Sequence, residues 1–319
     1  MEEGQEKKEI GVNSLPKMKR FDIAILTERR LEDPEITDDL IENVLEEDRI
    51  VQKALESRGL SVIRVDWAHQ DFNWDTVKSA IFRSTWDYSD RYEEFKKWCK
   101  SLKNEVTLIN TYEQINWNVD KHYLKELESK GINIPESVFI EPGQKITLTE
   151  IHRAYGWSHS VLKPAISAGA RHTYQLNEDH LDDYEATFQE LIKVESMMLQ
   201  PFLKSIPSTG ELSLMMMNGR YTHAVIKKAK AGDFRVQDDF GGTVSTHEPT
   251  KQEILFAEKV IQACDEIPLY ARVDIVWDNE DELALSELEL IEPELWFRFN
   301  PQAAEVLVEG IVNRYFTDK

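Results

Sequence analysis

The stretch over residues 270–301, YARVDIVWDNEDELALSELELIEPELWFRFNP, constrains the fold more than any other part of the chain. Apolar and polar positions alternate over residues 271–277 and again over residues 287–290, which is the period of a β-strand. The polar run over residues 278–281 between them supplies turn residues. The stretch therefore predicts a β-hairpin.

One face of this hairpin is predicted to be acidic. If Asp274 pairs near Glu287, these two carboxylates share the face with Glu289 and with the guanidinium of Arg272. Like charges opposed across strands destabilise a sheet, so we expect the carboxylates of the empty protein to repel one another. Oxygen-only ligation suits Mg²⁺, which usually completes its shell with substrate phosphates, and a phosphate would also suit Arg272. The alternative is a solvated acidic face in a chain with 59 acidic residues.

Composition limits the partners. The chain has 319 residues, of which 41 % are hydrophobic, enough for two or three subdomains. Its net charge of −21 makes it a poor partner for nucleic acid or an anionic membrane, because phosphate repels it. Residues 1–18 have no apolar core of a signal peptide and are expected to form a disordered extension. Without a membrane span or address we expect a cytoplasmic protein, and its two cysteines, Cys99 and Cys264, are too few for a disulfide framework.

The N-terminal third alternates between strands and helices. Strands are predicted at residues 21–26, 60–65, 80–85 and 106–110, with helices at 38–55 and 91–102, a pattern typical of a parallel α/β sheet. In such sheets ligands bind beyond the carboxyl ends of the strands. Arg83, Trp86 and Asp87 lie at such an end and are candidate substrate contacts. The alternative is an ordinary turn rich in aromatic residues.

A second unit is predicted to begin near a polar turn around Asn116, with a helix over residues 118–130. A strand is predicted at residues 160–164, with Lys163 near its end. Small residues follow at 165–170, and another strand is predicted at 171–176. A lysine before such a loop can hold phosphate while backbone N–H groups close over it. The segment is not a Walker A motif, and a plain tight hairpin is the alternative.

The last unit contains an apolar segment at residues 197–202 whose backbone could line an adenine slot, or which is simply a core strand. Asn218-Gly219 separates two predicted strands at 211–217 and 220–227 and suits a type I′ turn, because both turn residues need a positive φ. Arg235 precedes Gly241-Gly242, where glycines permit a close approach to a ligand. A helix is predicted at 249–264, and another begins at Asn300-Pro301.

Taken in order, these segments resemble the ATP-grasp superfamily from about Phe21 to Tyr315, and within it the glutathione synthetase and RimK-like branch. The resemblance is greatest to the cyclo-ligases that form D-cycloserine. It rests on the runs Arg83-Ser-Thr-Trp86-Asp87-Tyr88, Asp233-Phe-Arg235, Arg272-Val-Asp274, and Glu287-Leu-Glu289-Leu-Ile-Glu292-Pro293-Glu294-Leu. The resemblance implies an α/β ATP-grasp fold: a parallel pre-ATP-grasp domain at 19–117, a small lobe at 118–195 and a large lobe at 196–319.

The same resemblance implies roles for individual residues. The implied contacts with ATP are Lys121 and Lys163 on the phosphates, Gln200, Pro201 and Phe202 on adenine, and Glu211 on the ribose. The implied Mg²⁺ ligands are Asp274, Glu287 and Glu289, and Arg235 and Arg272 would face the transferred phosphate. Two features depart from the family. Its usual Glu-x-Asn metal pattern is Glu287-x-Glu289 here, and the loop at 165–170 has one glycine where relatives often have several.

The resemblance implies an ATP-dependent carboxylate–amine ligase that works through an acyl phosphate and releases ADP and phosphate. ATP and Mg²⁺ would be its cofactors, with Mn²⁺ as an alternative to Mg²⁺, and its substrate would be small and amino-acid-like. The nitrogen nucleophile could belong to the same molecule, which gives a ring, or to a second amino acid. A non-catalytic ATP-binding protein of the synapsin type is a further alternative, although the three acidic positions and both lysines favour an enzyme. A homodimer is left open.

Overall fold

The computed structural model describes residues 19–167, 169, 171–230 and 241–317. Arg235, predicted to be catalytic, lies outside the described residues, as do the N-terminal extension and residues 168 and 170 of the predicted phosphate loop. Within the described part of the chain, no helix is both long and apolar enough to cross a membrane.

The N-terminal unit is built on a parallel sheet, as predicted. Its strands are β1 (Phe21–Thr27), β2 (Val62–Asp66), β3 (Val77–Ser84) and β4 (Thr107–Ile109), in the order β2-β1-β3-β4. Its helices are α1 (Arg29–Glu32), α2 (Asp39–Ser57), α3 (Tyr92–Leu102) and α4 (Tyr112–Asn118), with single 3₁₀ turns at Trp74–Thr76 and Trp86–Ser89. Asp38 caps α2 by accepting a 2.8 Å bond from the amide of Ile41, which satisfies a donor that the helix cannot pair itself.

The second sheet is antiparallel and small. Its strands are β5 (Val138–Ile140), β6 (His159–Pro164), β7 (Tyr174–Asn177) and β8 (Met197–Pro201), in the order β5-β8-β6-β7. The helices around it are α5 (Tyr123–Ser129), α6 (Leu148–Tyr155) and α7 (Asp182–Leu191), and Glu178–His180 forms a 3₁₀ turn. The predicted boundary after residue 195 falls just before β8, yet β8 pairs with β5 and β6. By sheet membership β8 therefore groups with the segment that precedes it.

Two local predictions in this region were wrong. Asn116 lies inside α4 and not in a polar turn. The helix predicted from residue 118 begins at Tyr123, because Asp120 accepts the amide of His122 at 3.1 Å and forms a turn before the helix. Lys121 lies in this turn.

The third sheet is antiparallel and carries the predicted hairpins. Its strands are β9 (Glu211–Met217), β10 (Arg220–Lys228), β11 (Thr243–His247), β12 (Tyr270–Trp277) and β13 (Leu283–Glu289), in the order β11-β10-β9-β12-β13. Its helices are α8 (Ser205–Ser208), α9 (Lys251–Ala263) and α10 (Gln302–Tyr315). Asn218 and Gly219 have φ values of 51° and 76°, so the turn between β9 and β10 has the two positive φ values that a type I′ turn requires.

The two faces of the third sheet have different neighbours. Leu212, Leu214 and Met216 of β9 point towards α9 and share a core with its residues 257, 260 and 261. Met215 and Met217 point the other way and pack with α10 and with Val51 and Leu55 of α2. Because side chains alternate along a strand, Glu211 and Ser213 lie on this second face, beyond the end of its apolar core.

Candidate active site

Polar side chains from four strands meet on the second face of the third sheet. The register pairs Asp274 with Glu287 and also with Ser213, and it pairs Arg272 with Glu289. These side chains therefore project from the same face as Glu211. The predicted acidic hairpin face is confirmed in its strand pairing, and it continues across β9.

Three carboxylates on this face are close enough to share a cation. One oxygen from each of Asp274, Glu287 and Glu289 lies within 4.8 Å of the other two. Oxygen ligands at such separations suit Mg²⁺, for which each metal–oxygen distance is about 2.1 Å. The donor set and its spacing thus fit the metal that the family implies. Asp274 is buried, whereas the side chains of Glu287 and Glu289 are 30 % and 26 % exposed and accessible from solvent.

Each of these carboxylates already has a cationic neighbour. Lys121 Nζ lies 3.0 Å from Glu287 Oε1, and Arg272 Nη2 lies 2.9 Å from Asp274 Oδ2 and also contacts Glu289. Lys227 Nζ lies 3.1 Å from Asp274 Oδ2 and 2.5 Å from Glu211 Oε1. The expectation of carboxylates that simply repel one another was therefore wrong. It treated the hairpin alone, whereas the lysines come from β10 and from the turn before α5.

The pKa values of the three carboxyl groups separate as a result. Burial would raise the pKa of Asp274, but the charges of Arg272 and Lys227 outweigh it and hold that pKa well below its usual range. At Glu287, burial would also raise the pKa, but the charges of Lys121 and Lys163 outweigh it and the pKa is lowered. At Glu289, burial and the neighbouring carboxylates outweigh Arg272 and raise the pKa to about 7. Asp274 and Glu287 are thus the carboxylates most firmly ionised in this state.

The two predicted phosphate lysines lie in the same region. Lys121 binds the loop that follows Lys163, because its amide donates to the carbonyl of Ala165 at 2.9 Å and its Nζ donates to that of Ser167 at 3.0 Å. Burial lowers the pKa of Lys163, Glu287 and Glu211 raise it, and Lys121 lowers it further. These charges act on one another, so β6 of the second sheet faces the acidic part of the third.

The predicted adenine segment forms the end of β8. Gln200 is buried and donates to the hydroxyl of Ser137 at 2.8 Å, and Val161 and Ser160 of β6 pair with Gln200 and Pro201. The amide of Phe202 donates to the carbonyl of His159 at 3.0 Å. Glu211 accepts from Lys227 and, at 2.9 Å, from the hydroxyl of Ser286. Both carboxylate oxygens of Glu211 therefore already have a partner within the protein.

The predicted substrate residues at the carboxyl end of β3 are already engaged within the protein. Arg83 is 3 % exposed and pairs with Glu47 at 2.6 Å. Trp86 donates its indole N–H to the carbonyl of Glu292 at 3.1 Å. Asp87 accepts from the indole of Trp67 at 2.7 Å and pairs with Arg91 at 2.8 Å. These contacts place the end of β3 against the segment that follows β13, but they do not bring Arg83 into the carboxylate group.

Sequence reasoning missed two residues of this site. Lys227 was noted only as the end of a strand, and Glu292 only as part of a run that carries the resemblance. Nothing in the sequence pointed to Lys227, because a register shift in the hairpin is what places it opposite Glu211. The signal for Glu292 was a third acidic residue just beyond Glu287 and Glu289.

Comparisons with known proteins match two parts of the chain, one in the unit of the first sheet and one that spans the second and third sheets. Residues 23–110 match the family model of the D-cycloserine synthetase DcsG N-terminal domain. Residues 138–287 match that of the prokaryotic glutathione synthetase ATP-grasp domain, a range that includes Lys163, Lys227 and Asp274. The cycloserine biosynthesis protein DcsG of Streptomyces lavendulae is 24 % identical over 273 residues, which are 82 % of this chain and 91 % of that protein.

Solved structures show the same likeness. The crystal structure of D-cycloserine synthetase DcsG aligns with a TM-score of 0.80 at 21 % identity, over 92 % of this chain and 99 % of that one. D-alanine–D-alanine ligase from Bacillus anthracis aligns with a TM-score of 0.64 at 13 % identity, over 92 % and 96 % of the two chains. These similarities establish the fold.

Proposed function

This chain belongs to the ATP-grasp ligases, and on that premise we propose that it joins a carboxylate to an amine through an acyl phosphate. It is an ATP-dependent enzyme that forms C–N bonds. The observation that carries the finer proposal is the group of three carboxylates within 4.8 Å, interleaved with Lys121, Lys227 and Arg272. This arrangement offers ligands for a divalent cation beside donors for phosphate oxygens.

Asp274, Glu287 and Glu289 are the residues that would hold Mg²⁺, with Mn²⁺ as the alternative. When bound, this metal neutralises charge on the phosphates and orients them for displacement. Lys121 and Lys163 bind the phosphate chain in this proposal, and both lie beside Glu287. Residues 200–202 hold adenine and Glu211 holds the ribose. The nucleotide then lies between the second and third sheets. We keep the domain division after residue 117 and move the second division from residue 195 to the end of β8.

The chemistry follows in two steps. An oxygen of the substrate carboxylate attacks the γ-phosphorus, the bond to ADP breaks, and Arg272 donates to the transferred phosphoryl group. A nitrogen then attacks the acyl carbon, loses a proton and displaces phosphate. The transferred phosphoryl group is proposed to contact Arg235 as well. The substrate is proposed to contact Trp86 and Asp87, and also Arg83, which must first exchange its bond to Glu47.

We infer that the nitrogen belongs to the same molecule as the carboxylate, so that a ring closes. The support is the match of residues 23–110 to the DcsG N-terminal domain and the TM-score of 0.80 to a protein named D-cycloserine synthetase. D-alanine–D-alanine ligase, whose name describes an intermolecular product, aligns with a TM-score of 0.64. The intermolecular reaction is the alternative outcome of the test.

The test is nucleotide chromatography after turnover with Mg·ATP and a panel of small amino acids that includes serine, alanine and β-aminooxyalanine. ADP and phosphate are expected, and one amino acid alone should support their release. AMP and pyrophosphate would contradict the acyl phosphate. In mass spectrometry, a product with the mass of two joined amino acids, identical or different, would replace ring closure by intermolecular ligation, whereas ring closure gives one amino acid less one water.

A further inference from the structure

The segment that leaves β13 holds a carboxylate, Glu292, beside the proposed metal ligands. Its backbone is fixed, because three side chains bind the consecutive carbonyl groups of residues 291–293. These are the Tyr270 hydroxyl at 2.8 Å, the Trp86 indole at 3.1 Å and the Arg83 guanidinium at 3.0 Å. Glu292 itself is half-buried, so it is anchored by its backbone and still partly exposed.

Glu292 differs from the other carboxylates of the site in its partners. Glu211 and Asp274 pair with Lys227, Glu289 pairs with Arg272, and Glu287 pairs with Lys121. Among the described residues, by contrast, no Lys, Arg or His forms an ion pair with Glu292. The buried Tyr88 lies near Glu292, and each of the two groups shifts the pKa of the other. Glu292 also stands outside the group of three carboxylates that lie within 4.8 Å of one another, so it is not placed to share their cation.

The ionised form of Glu292 is unfavourable in this position. Burial and the charge of Glu289 raise the pKa of Glu292 well above its usual range, against the hydrogen bond from Tyr88 and the charge of Lys121. A cation beside it would reverse the effect of burial and favour the ionised form. Among the described residues of the site, four cations, Lys121, Lys163, Lys227 and Arg272, lie near five carboxyl groups once Glu292 is counted, and none of the four forms an ion pair with Glu292.

We propose that Glu292 binds the ammonium group of the substrate and thereby restricts the enzyme to acids that carry a free amine. This inference rests on the proposed function, because it takes the substrate carboxylate to lie at the γ-phosphate. An ammonium group fits better than a second metal ion, since Glu292 and Tyr88 offer only one carboxylate and one hydroxyl. Acids whose amine is acylated lack the positive charge and would leave Glu292 without a partner.

The experiment measures ADP release with free β-aminooxyalanine and with its α-N-acetyl form, which keeps the aminooxy nitrogen as the nucleophile. The free form should stimulate release and the acetylated form should not. In Glu292→Gln, the KM for the amino acid should rise about 10-fold to 100-fold, as expected for the loss of a charged hydrogen bond, while the KM for ATP stays unchanged. Glu292→Asp should recover part of the affinity.

Glu294→Gln is the matched control, because Glu294 lies two residues further along the same segment and already pairs with Arg298. It should keep the parental KM for the amino acid. Equal use of the N-acetyl form, or a parental KM in Glu292→Gln, would overturn the proposal. So would a protein that binds Mg·ATP in calorimetry but releases ADP with none of the free amines. Failure to bind Mg·ATP at all would instead overturn the proposed function.

Discussion

Two groups of charged residues in this molecule contain similar side chains but differ in their exposure to solvent. The open cluster consists of Lys121, Lys227 and Arg272 with Asp274, Glu287 and Glu289. The sealed pair consists of Arg83 and Glu47, whose side chains are 2 % and 4 % exposed. In the open cluster, Glu287 and Glu289 are roughly ten times more accessible, at 30 % and 26 %. Each carboxylate of the open cluster has a cation, and a ligand can reach Glu287 and Glu289 from solvent.

The sealed pair joins two parts of the fold. Glu47 of α2 accepts both Arg83 of β3 and the amide of Leu295 at 2.6 Å, so it connects the N-terminal unit to the segment after β13. The guanidinium also lies 5.8 Å from the ring centres of Tyr270 and Phe297. Three buried atoms of this pair have no hydrogen-bond partner among the described residues: Arg83 Nε, Arg83 Nη1 and Glu47 Oε2. The comparison indicates that exposure, more than charge, separates a pair that fixes the fold from one that can exchange with a ligand.

The largest expected effect is on stability when the sealed pair is broken. Glu47→Ala removes the carboxyl group that accepts from both Arg83 and the amide of Leu295, which should lower the free energy of unfolding by about 3–5 kcal/mol. Denaturant unfolding measures this. Glu46→Ala is the control, because Glu46 is the preceding residue and its pair with Arg49 is exposed. A loss no larger in Glu47→Ala than in the control would remove the distinction between the two groups.

A slightly smaller effect, on catalysis, is expected from the open cluster. Glu287→Gln and Glu289→Gln should each lower ADP release about 10²-fold to 10³-fold, which is roughly 2.7–4 kcal/mol, by analogy with the loss of one preorganised group. Because Lys121 or Arg272 then loses a partner, stability should fall slightly, not rise. Melting with Mg·ATP at 100 times its Kd should add roughly 2.7 kcal/mol in the parent and much less in the variants. Parental melting and turnover in both would show that the metal ligands lie elsewhere.

Lys163→Met should weaken ATP binding about 10-fold to 100-fold, because it removes one charged hydrogen bond to phosphate. Thermal stability should stay close to that of the parent, since the methionine retains the apolar stem. Calorimetric titration with Mg·ATP measures the change, and Lys145→Met, at an exposed lysine, is the control. If Lys163→Met unfolds the protein instead, Lys163 belongs with the sealed pair as a structural charge.

The smallest expected effect is a pH dependence from Glu47. Burial and the charge of Glu294 outweigh Arg83 and raise its pKa from 4.5 to about 7. A carboxyl group with a raised folded pKa contributes stability that is fully present below 4.5 and is lost as the pH rises to about 7, by at most about 1.4 kcal/mol per pH unit. Unfolding at pH 5.5 and pH 7.5 measures this. The difference should shrink in Glu47→Gln, and an unchanged difference would assign it to other groups.

Much of the fold was predictable because local patterns agree with it. Alternation located β12 and β13, and Asn218-Gly219 located the turn between β9 and β10. Two irregularities were not predictable. The register of β9 with β10 shifts by one residue between Tyr221 and His223, and this shift places Lys227 opposite Glu211. A second shift follows Asp274, opposite Ser286. A uniform two-residue turn would have paired Ile226 with Glu211, so Lys227 could not be assigned to the site.

Long-range contacts set a second limit on prediction. The aromatic and acidic residues after β3 were correctly located at the end of a parallel strand, where ligands bind in many sheets. The partner of Arg83, however, comes from α2 and lies 36 residues earlier in the chain. No periodicity or spacing in the sequence relates those two positions. The same holds for Lys121 in the turn before α5 and Glu287 of β13.

Under the proposed function, the internal pairing of the open cluster would make metal and nucleotide binding reciprocal. A metal ion arriving alone competes with Lys121 and Arg272 for the same oxygens, so the protein's own cations act as built-in competitors. Phosphate groups offer those cations new partners and release the oxygens. Each ligand then raises the affinity for the other by the same factor. Free divalent cations would consequently bind weakly on their own, and the site would select the metal–nucleotide complex as one unit.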